Sequence, residues 1–147
     1  MQVYLEDVIE SIEFENELLN HFYNKDTEVI IYKEDSSTAK YSADDINDLD
    51  KFEEWERELI ISLYDLKENP DNYIKLPKRT EDDEYDMIIN FCRESDIEIK
   101  EGTYKIDDLK NLIENKGLLL EWYDYREKEE RNIAIKWCEQ NNIKYIE

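Results

Sequence analysis

The scarcity of glycine and proline constrains the fold of this chain more than any other feature. Each of these residues occurs only twice in 147 positions, whereas a β-sandwich with many tight turns needs far more of them. Most of the chain should therefore lie in helices joined by few turns. Leu, Ile, Val and Phe account for 38 of the 147 residues, which is enough to form a hydrophobic core. We expect a single acidic domain that spans residues 1–147.

Apolar residues recur every three or four positions along most of the chain, which is the spacing of amphipathic helices. The pattern predicts a mostly helical α+β fold, with an N-terminal helix starting at Leu5, a β-hairpin ending at Tyr32, and four or five further helices. The predicted bounds of the later helices are Lys51 to Asn69, Thr80 to Cys92, Ile106 to Gly117, and Leu118 to Asn142. The last stretch is either one long helix with a solvated middle or two helices that meet at an angle.

The segments between the predicted helices are less regular. Residues 35–50 carry serines and aspartates with only scattered apolar residues, which favours a solvated connection over a packed element. Ile97, Ile99 and the neighbourhood of Gly102 predict an extended crossing, and residues 143–146 predict a short final strand. Thr80, followed by Asp83, is typical of a helix that begins with a capping box.

Several single residues are predicted to have structural roles. The three tryptophans fall on apolar helical faces and are predicted to lie in the core: Trp55, Trp122 and Trp137. The two cysteines have apolar neighbours and are predicted to be buried thiols: Cys92 and Cys138. The single histidine, His21, falls in the predicted hairpin, where a structural role is the simpler interpretation.

The net charge excludes several kinds of partner. The chain has 40 acidic and 19 basic residues, a formal net charge of −21. Such a charge repels phosphate backbones and anionic membrane surfaces, so we expect no direct binding to nucleic acid or to membranes. No apolar run reaches the roughly 18 residues of a transmembrane helix, and the first residues lack the pattern of a signal peptide. We therefore expect a cytoplasmic protein.

Familiar catalytic and cofactor motifs are absent from the sequence. A single histidine rules out His-Glu-x-x-His and Cys-Cys-His-His zinc sites. Two glycines are too few for a dinucleotide-binding loop or for a Gly-x-Ser-x-Gly nucleophile elbow. The segment from Asp44 to Asp50 lacks the central glycine and closing glutamate of an EF-hand loop. At most, this segment forms a weak divalent-ion cluster. We predict no catalytic residue, no metal ligand and no cofactor.

Three stretches of the sequence carry a resemblance to a known family: residues 68–77 (ENPDNYIKLP), 84–92 (EYDMIINFC) and 133–143 (IAIKWCEQNNI). In order and spacing they resemble the uncharacterised bacterial family numbered zero-one-five-eight in the UPF series, whose members also open with a helix and a hairpin similar to residues 5–32. The resemblance covers most of the chain and implies no activity. Family members commonly have a Gly-x-Gly-aromatic stretch with basic residues, where this chain has residues 115–120 (NKGLLL).

The acidic residues are concentrated in two blocks that are predicted to bind a partner. The first block is Asp44, Asp45, Asp48, Asp50, Glu53, Glu54, Glu56 and Glu58, and the second is Glu81, Asp82, Asp83 and Glu84. Carboxylates three or four residues apart on a helix lie about 5 to 6 Å from each other, a separation in the range of phosphate charges along a nucleic-acid groove. Ordinary solubility is the competing explanation for such acidic faces.

We interpret the chain as a non-enzymatic interaction protein whose acidic surface binds a basic protein surface. In its sharpest form this is a nucleic-acid mimic that inhibits a nucleic-acid-binding enzyme. The alternative is a metal-dependent enzyme or small-molecule binder with a carboxylate cleft formed from residues such as Asp44 to Asp50. A purely structural subunit or regulator is a third reading of the same sequence.

Overall fold

The computed structural model describes residues 1–13, 18–35, 37–100 and 104–147. These residues form a mixed α and β structure that is mostly helical, which confirms the predicted class. The described ranges contain five α-helices: α1 (Leu5–Ile12), α2 (Glu54–Glu68), α3 (Glu81–Glu94), α4 (Ile106–Asn115) and α5 (Leu119–Gln140). They also contain two 3₁₀ helices, at Ala43–Lys51 and Pro70–Asn72.

Two small sheets accompany the helices. Their strands are β1 (Gln2–Tyr4), β2 (Leu19–Asn24), β3 (Ile30–Glu34), β4 (Tyr73–Lys75) and β5 (Lys144–Ile146). The three-stranded sheet has the order β3-β2-β4 and is antiparallel throughout, with His21 opposite Tyr32. In the other sheet β1 pairs with β5 in parallel, and Val3 lies opposite Tyr145. A parallel pair needs a long crossover connection, which here is nearly the whole chain.

The turn of the hairpin is built by the side chain of Asn24. Its Oδ1 accepts hydrogen bonds from the backbone N–H groups of Asp26 at 2.8 Å and Thr27 at 3.1 Å. Asn and Asp side chains commonly replace a backbone acceptor in this way. Glu28 follows with a φ of +62°, and β3 then begins at Ile30.

One hydrophobic cluster, here called the sheet core, lies between α1, the three-stranded sheet and the C-terminal half of α5. Its buried members are Val3, Leu5, Val8, Ile12, Tyr23, Leu76, Ala134, Trp137, Cys138 and Ile143. The Trp137 ring meets the Tyr23 ring edge to face, with centroids 6.1 Å apart. Its Nε1–H donates to the Lys75 carbonyl at 3.0 Å, so the indole is both buried and hydrogen-bonded.

A second cluster, here called the helix core, lies between α3, α4 and the N-terminal half of α5. Its buried members are Ile88, Ile89, Phe91, Cys92, Ile97, Leu109, Ile113 and Trp122. Phe91 contacts the Trp122 ring at a centroid distance of 5.6 Å. Both cysteines are buried and free, as predicted, and burial raises the pKa of each thiol.

Helix α5 contributes to both cores along one continuous face. The last stretch of the chain was predicted to form either one long helix or two helices. It contains a single helix of 22 residues. Trp122 packs in the helix core, and Ala134 and Cys138 pack in the sheet core. The prediction of a solvated middle is wrong in one respect, because Glu130 in that middle is buried.

Three predictions about the irregular segments need correction or comment. Residues 35–50 are not only a loop, since the 3₁₀ helix at Ala43–Lys51 packs against α2. Helix α2 begins at Glu54 rather than at Lys51. Residues 97–100 are not a strand, although Ile97 is buried in the helix core; the part of this prediction that falls on Gly102 lies outside the described residues.

Candidate interaction surface

The first acidic block folds around two helix starts, which together form what we call the 44–58 surface (residues 44–58). Ser42 caps the 3₁₀ helix: its Oγ accepts from the Asp44 backbone N–H at 3.2 Å, and the Asp45 carboxylate accepts from the Ser42 N–H at 2.9 Å. At the start of α2, the Glu56 carboxylate accepts from the Glu53 N–H at 3.0 Å in a second capping box. Carboxylates suit these positions because the first N–H groups of a helix have no partner within it.

Arg57 joins the two helices of this surface. Its Nε donates to the Leu49 carbonyl at 3.1 Å and to the Phe52 carbonyl at 2.8 Å. Two carbonyls at the end of the 3₁₀ helix are thereby satisfied by a cation carried on α2. The acidic block is therefore a folded surface, and its backbone geometry is held by hydrogen bonds from its own side chains.

The carboxylates of this block have unequal freedom to bind a partner. Asp44 pairs with Lys67 at 3.2 Å and Asp48 with Lys51 at 3.5 Å, and all four side chains are largely exposed. Exposed pairs of this kind contribute about 0 to 1 kcal/mol, so a stronger partner can replace them. Among the residues that the structure describes, Asp50, Glu54 and Glu58 are exposed and form no hydrogen bond or ion pair with one another or with other side chains.

An aromatic cluster lies within the acidic surface. The Tyr41 ring meets the rings of Phe52 and Trp55 edge to face, each at a centroid distance of 6.0 Å. The Tyr41 hydroxyl donates to Glu56 at 2.6 Å, which raises the pKa of Tyr41 to about 12 and lowers the pKa of Glu56. The Lys40 ammonium stands over the Tyr41 ring, 5.6 Å from its centroid.

Trp55 is on the surface, and the prediction that it lies in the core is wrong. Its side chain is 57% exposed, and its Nε1–H donates to the Glu53 carboxylate at 3.0 Å. Helical spacing shows which residues share a face, but here no other element covers the end of that face. Trp122 and Trp137 are buried as predicted. A large exposed aromatic side chain beside carboxylates is the most distinctive feature of the 44–58 surface.

The second acidic block lies at the start of α3 and is divided by the fold. Asp83 closes the predicted capping box, accepting from the Thr80 N–H at 2.8 Å, while the Thr80 hydroxyl accepts from the Asp83 N–H at 3.3 Å. Glu81 and Asp82 are exposed and line a groove of about 540 Å³. That groove is also lined by two cations, Lys105 directly before α4 and Lys110 on α4, which reduce the negative field there.

Glu84 does not belong to the acidic surface where it was predicted. Its side chain is 0% exposed, because position 84 faces the same way along α3 as the buried Ile88. Helix α3 packs on α4 and α5, whereas α2 packs on the 3₁₀ helix and β3. The two acidic blocks therefore belong to different parts of the fold and form two surfaces.

Four buried or half-buried charged residues form what we call the buried charge cluster: Arg79, Glu84, Arg126 and Glu130. This cluster was not predicted from the sequence. The available signal was the spacing on α5, where positions 122, 126, 130, 134 and 138 follow one another at steps of four residues, so that each lies next to the one before it on the helix surface. Three of those five positions are apolar core residues, so charges at the other two are brought inside.

The other candidate sites in the described residues give less support for a function. No group of three or more His, Cys, Asp or Glu side chains within 1–13, 18–35, 37–100 and 104–147 is arranged to hold a metal ion. His21 is half-buried beside Tyr32 on the hairpin, with ring centroids 6.5 Å apart, and burial lowers its pKa. Its place on β2 agrees with the predicted hairpin.

Comparison with family models, with curated proteins and with solved structures finds no match. The resemblance to the uncharacterised bacterial family therefore stays a prediction. In the part of the chain that the structure describes, no helix is long and apolar enough to cross a membrane.

Proposed function

We propose that this protein is a non-enzymatic binding protein that uses the 44–58 surface to dock onto a basic surface of another protein in the cytoplasm. The observation that carries the proposal is the exposure of Trp55 among carboxylates. Glu54 and Glu58 lie one helical turn apart on the exposed side of α2. Acidity alone is explained by solubility, but an exposed tryptophan within it favours a contact surface.

An aromatic cluster and carboxylates together suit an arginine or lysine side chain. Carboxylates attract the cation, and the ring face binds it at short range, with a contribution of about 0.5 to 1 kcal/mol at an exposed site. The cluster already holds one cation of the chain itself, the Lys40 ammonium over the Tyr41 ring. Tryptophan is also enriched among the residues that dominate binding energy at interfaces.

The sharper form of the proposal is nucleic-acid mimicry. Glu54 and Glu58 stand at i and i+4 on α2, where Cβ atoms lie about 5 to 6 Å apart, so their carboxylates can follow a row of phosphate charges. The partner would then be a nucleic-acid-binding enzyme that the protein inhibits. This form adds one requirement, because duplex DNA must compete with the protein for the same partner surface.

The test uses Trp55 as its own reporter. Trp122 and Trp137 are buried, so an arginine-rich peptide in contact with the 44–58 surface should change the emission of Trp55. We expect binding at low salt that is lost near 1 M salt, where the screening length falls to about 3 Å. An acidic peptide of equal length should not bind, and the Trp55→Phe variant should lose the signal.

A matched pair of variants separates this surface from general acidity. Glu54→Lys with Glu58→Lys should weaken binding about tenfold, because reversing two surface charges changes the interaction by about 1 to 2 kcal/mol. Glu81→Lys with Asp82→Lys makes the same change in net charge on the other acidic block. Equal losses in both double variants would show that net charge acts without a specific surface, and the proposal would be wrong.

A further inference from the structure

The buried charge cluster lies at the boundary between the two hydrophobic cores. On α5 its members Arg126 and Glu130 come after Trp122 of the helix core and before Ala134 of the sheet core. Arg79 lies in the segment that connects β4 to α3. The cluster therefore connects α5, the segment before α3 and α3 itself through ion pairs at this boundary.

The geometry of the cluster shares each cation between two carboxylates. Arg79 contacts Glu84 at 3.3 Å through Nη2 and Glu130 at 3.2 Å through Nη1. Arg126 contacts Glu130 at 3.4 Å through Nε and lies 3.9 Å from Glu84 through Nη1. Two cations and two carboxylates balance, but burying all four is costly unless each is well hydrogen-bonded. The Glu84 oxygens have no hydrogen bond of good geometry, so the cluster is imperfectly satisfied.

The two carboxylates differ in their access to solvent. Glu84 is fully enclosed. Glu130 is 3% exposed but lines a cleft of about 300 Å³ between α1 and α5, together with Glu6, Glu13, Tyr123, Arg126 and Glu127. A proton from solvent can therefore reach Glu130 through this cleft.

We propose that the buried charge cluster is a proton-controlled joint between the two cores, in which Glu130 takes up the proton. Protonation forms an O–H bond on a Glu130 carboxyl oxygen and removes its charge. The carboxyl then attracts neither guanidinium as an ion. Arg79, which is almost fully buried, keeps its pair with Glu84, and Arg126, whose side chain is 23% exposed, turns to the carboxylates that line the cleft.

The charges that face Glu130 support this assignment. Burial is the largest effect and raises the pKa of Glu130 to about 7. Arg79 from the segment before α3 and Arg126 from α5 lower the pKa of Glu130. Glu13, directly after α1, and Glu84 from α3 raise it further. A carboxyl whose pKa lies near neutrality changes its charge within a physiological range of pH.

The sign of the effect on stability follows from linkage. Glu130 titrates near 4.5 when unfolded and near 7 when folded, so the folded protein holds an extra proton between these values. The stabilising contribution is complete below the unfolded pKa and is lost as pH rises through 7. In that interval the unfolding constant of the wild type should rise, relative to that of a variant lacking this group, by up to about tenfold per pH unit.

The first measurement needs no variant. A carbon-13 NMR titration of the side-chain carboxyls in the wild-type chain should show the Glu130 carboxyl titrating near pH 7. The Arg126 Nε resonance should shift with the same midpoint, because Arg126 changes partner with the proton. A Glu130 midpoint near the ordinary value of 4.5 would overturn the proposal whatever the variants do.

The second measurement compares two glutamine variants of α5 by urea unfolding between pH 5 and 8. In the Glu130→Gln variant, the free energy of unfolding should lose the pH dependence that Glu130 causes. This variant should become more stable than the wild type as pH rises. Glu127→Gln changes an exposed carboxylate in the same cleft and should keep the pH dependence of the wild type. If both variants keep the pH dependence of the wild type, another group takes up the proton and the proposal is wrong. A purely structural Glu130 would instead lower stability equally at every pH on substitution.

Discussion

Gly117 ends α4 in a left-handed conformation, with a φ of +72°. A residue with a Cβ atom is strained there, by about 1 to 2 kcal/mol. Apart from Gly117 and its two chain neighbours, no heavy atom of the described residues lies within 4 Å of the place where a Cβ would stand, so the cost of a substitution comes from the local backbone conformation. This position is a clean measure of what one glycine contributes to the fold.

We expect Gly117→Ala to lower the free energy of unfolding by about 1 kcal/mol. Gly117→Asn should lower it less, because asparagine tolerates the left-handed region better than alanine does. Urea unfolding followed by circular dichroism measures both. Equal stabilities of the alanine and asparagine variants would contradict the backbone explanation.

Residue types and spacing predicted some single residues and failed on others for a physical reason. The burial of Cys92, Cys138, Trp122 and Trp137 follows from apolar spacing on helices. Trp55 has similar spacing and is exposed, because periodicity defines a face without saying where its covering elements end. Glu84 shows the converse, since the partner that makes its burial tolerable, Arg79, is brought to it only by the fold.

The start of α3 could be predicted from the sequence, because a cap is a local interaction. Thr80 and Asp83 form the predicted box, and α3 begins at Glu81. The 3₁₀ helix at Ala43–Lys51 was not predicted, although it begins with the same kind of capping box at Ser42. Its lack of fully buried side chains explains why no apolar pattern revealed it.

The two capping boxes should differ in their contribution to stability. Thr80→Ala should lower the free energy of unfolding by about 1 kcal/mol, because α3 carries five buried residues that depend on it. Ser42→Ala should cost clearly less, since no residue of the 3₁₀ helix is fully buried. Thermal and urea unfolding of both variants provide the comparison. A larger loss for Ser42→Ala would mean that this segment contributes more to folding than its burial indicates.

Helix α5 shows why the buried charge cluster was not predicted. Its charged middle has the composition of a solvated face, and a solvated middle was therefore predicted. The repeat of positions 122, 126, 130, 134 and 138 puts Arg126 and Glu130 on the buried face. Only the arrival of Arg79 from another segment makes that burial possible, and no local pattern in the sequence predicts that contact.

The net charge of −21 acts on the whole molecule. Like charges confined to a folded surface repel each other more than they do in an expanded chain, which lowers the stability of the compact state. Added salt screens this repulsion, since the screening length falls from about 30 Å at 0.01 M to about 8 Å at 0.15 M.

We therefore expect the free energy of unfolding at neutral pH to increase on the order of 1 kcal/mol between 0.01 and 0.15 M sodium chloride. Urea unfolding is suitable because urea is uncharged, and the dependence of the free energy on urea should keep its slope. The Glu54→Lys and Glu58→Lys double variant has a smaller net charge and should show a smaller salt effect. A wild type that loses stability in salt would instead point to dominant attractive ion pairs.

The mixed, mostly helical class was predictable at this scale because it depends on patterns repeated along the chain. The pairing of β1 with β5 was not, since Gln2 and Lys144 are partners across nearly the full sequence and three-residue strands have almost no pattern of their own. The division of the acidic residues into two surfaces likewise depends on tertiary packing that charge counting does not see.

That pairing of β1 with β5 has a consequence for synthesis of the protein on the ribosome. Val3 and Ile143 belong to the same sheet core, so Val3 stays uncovered until the residues around β5 have been synthesised. Contacts so distant in sequence form slowly, and exposed apolar residues and strand edges invite aggregation meanwhile. The buried members of the helix core lie between residues 88 and 122, so this core can close earlier. During translation the helix core should therefore pack before β1 pairs with β5.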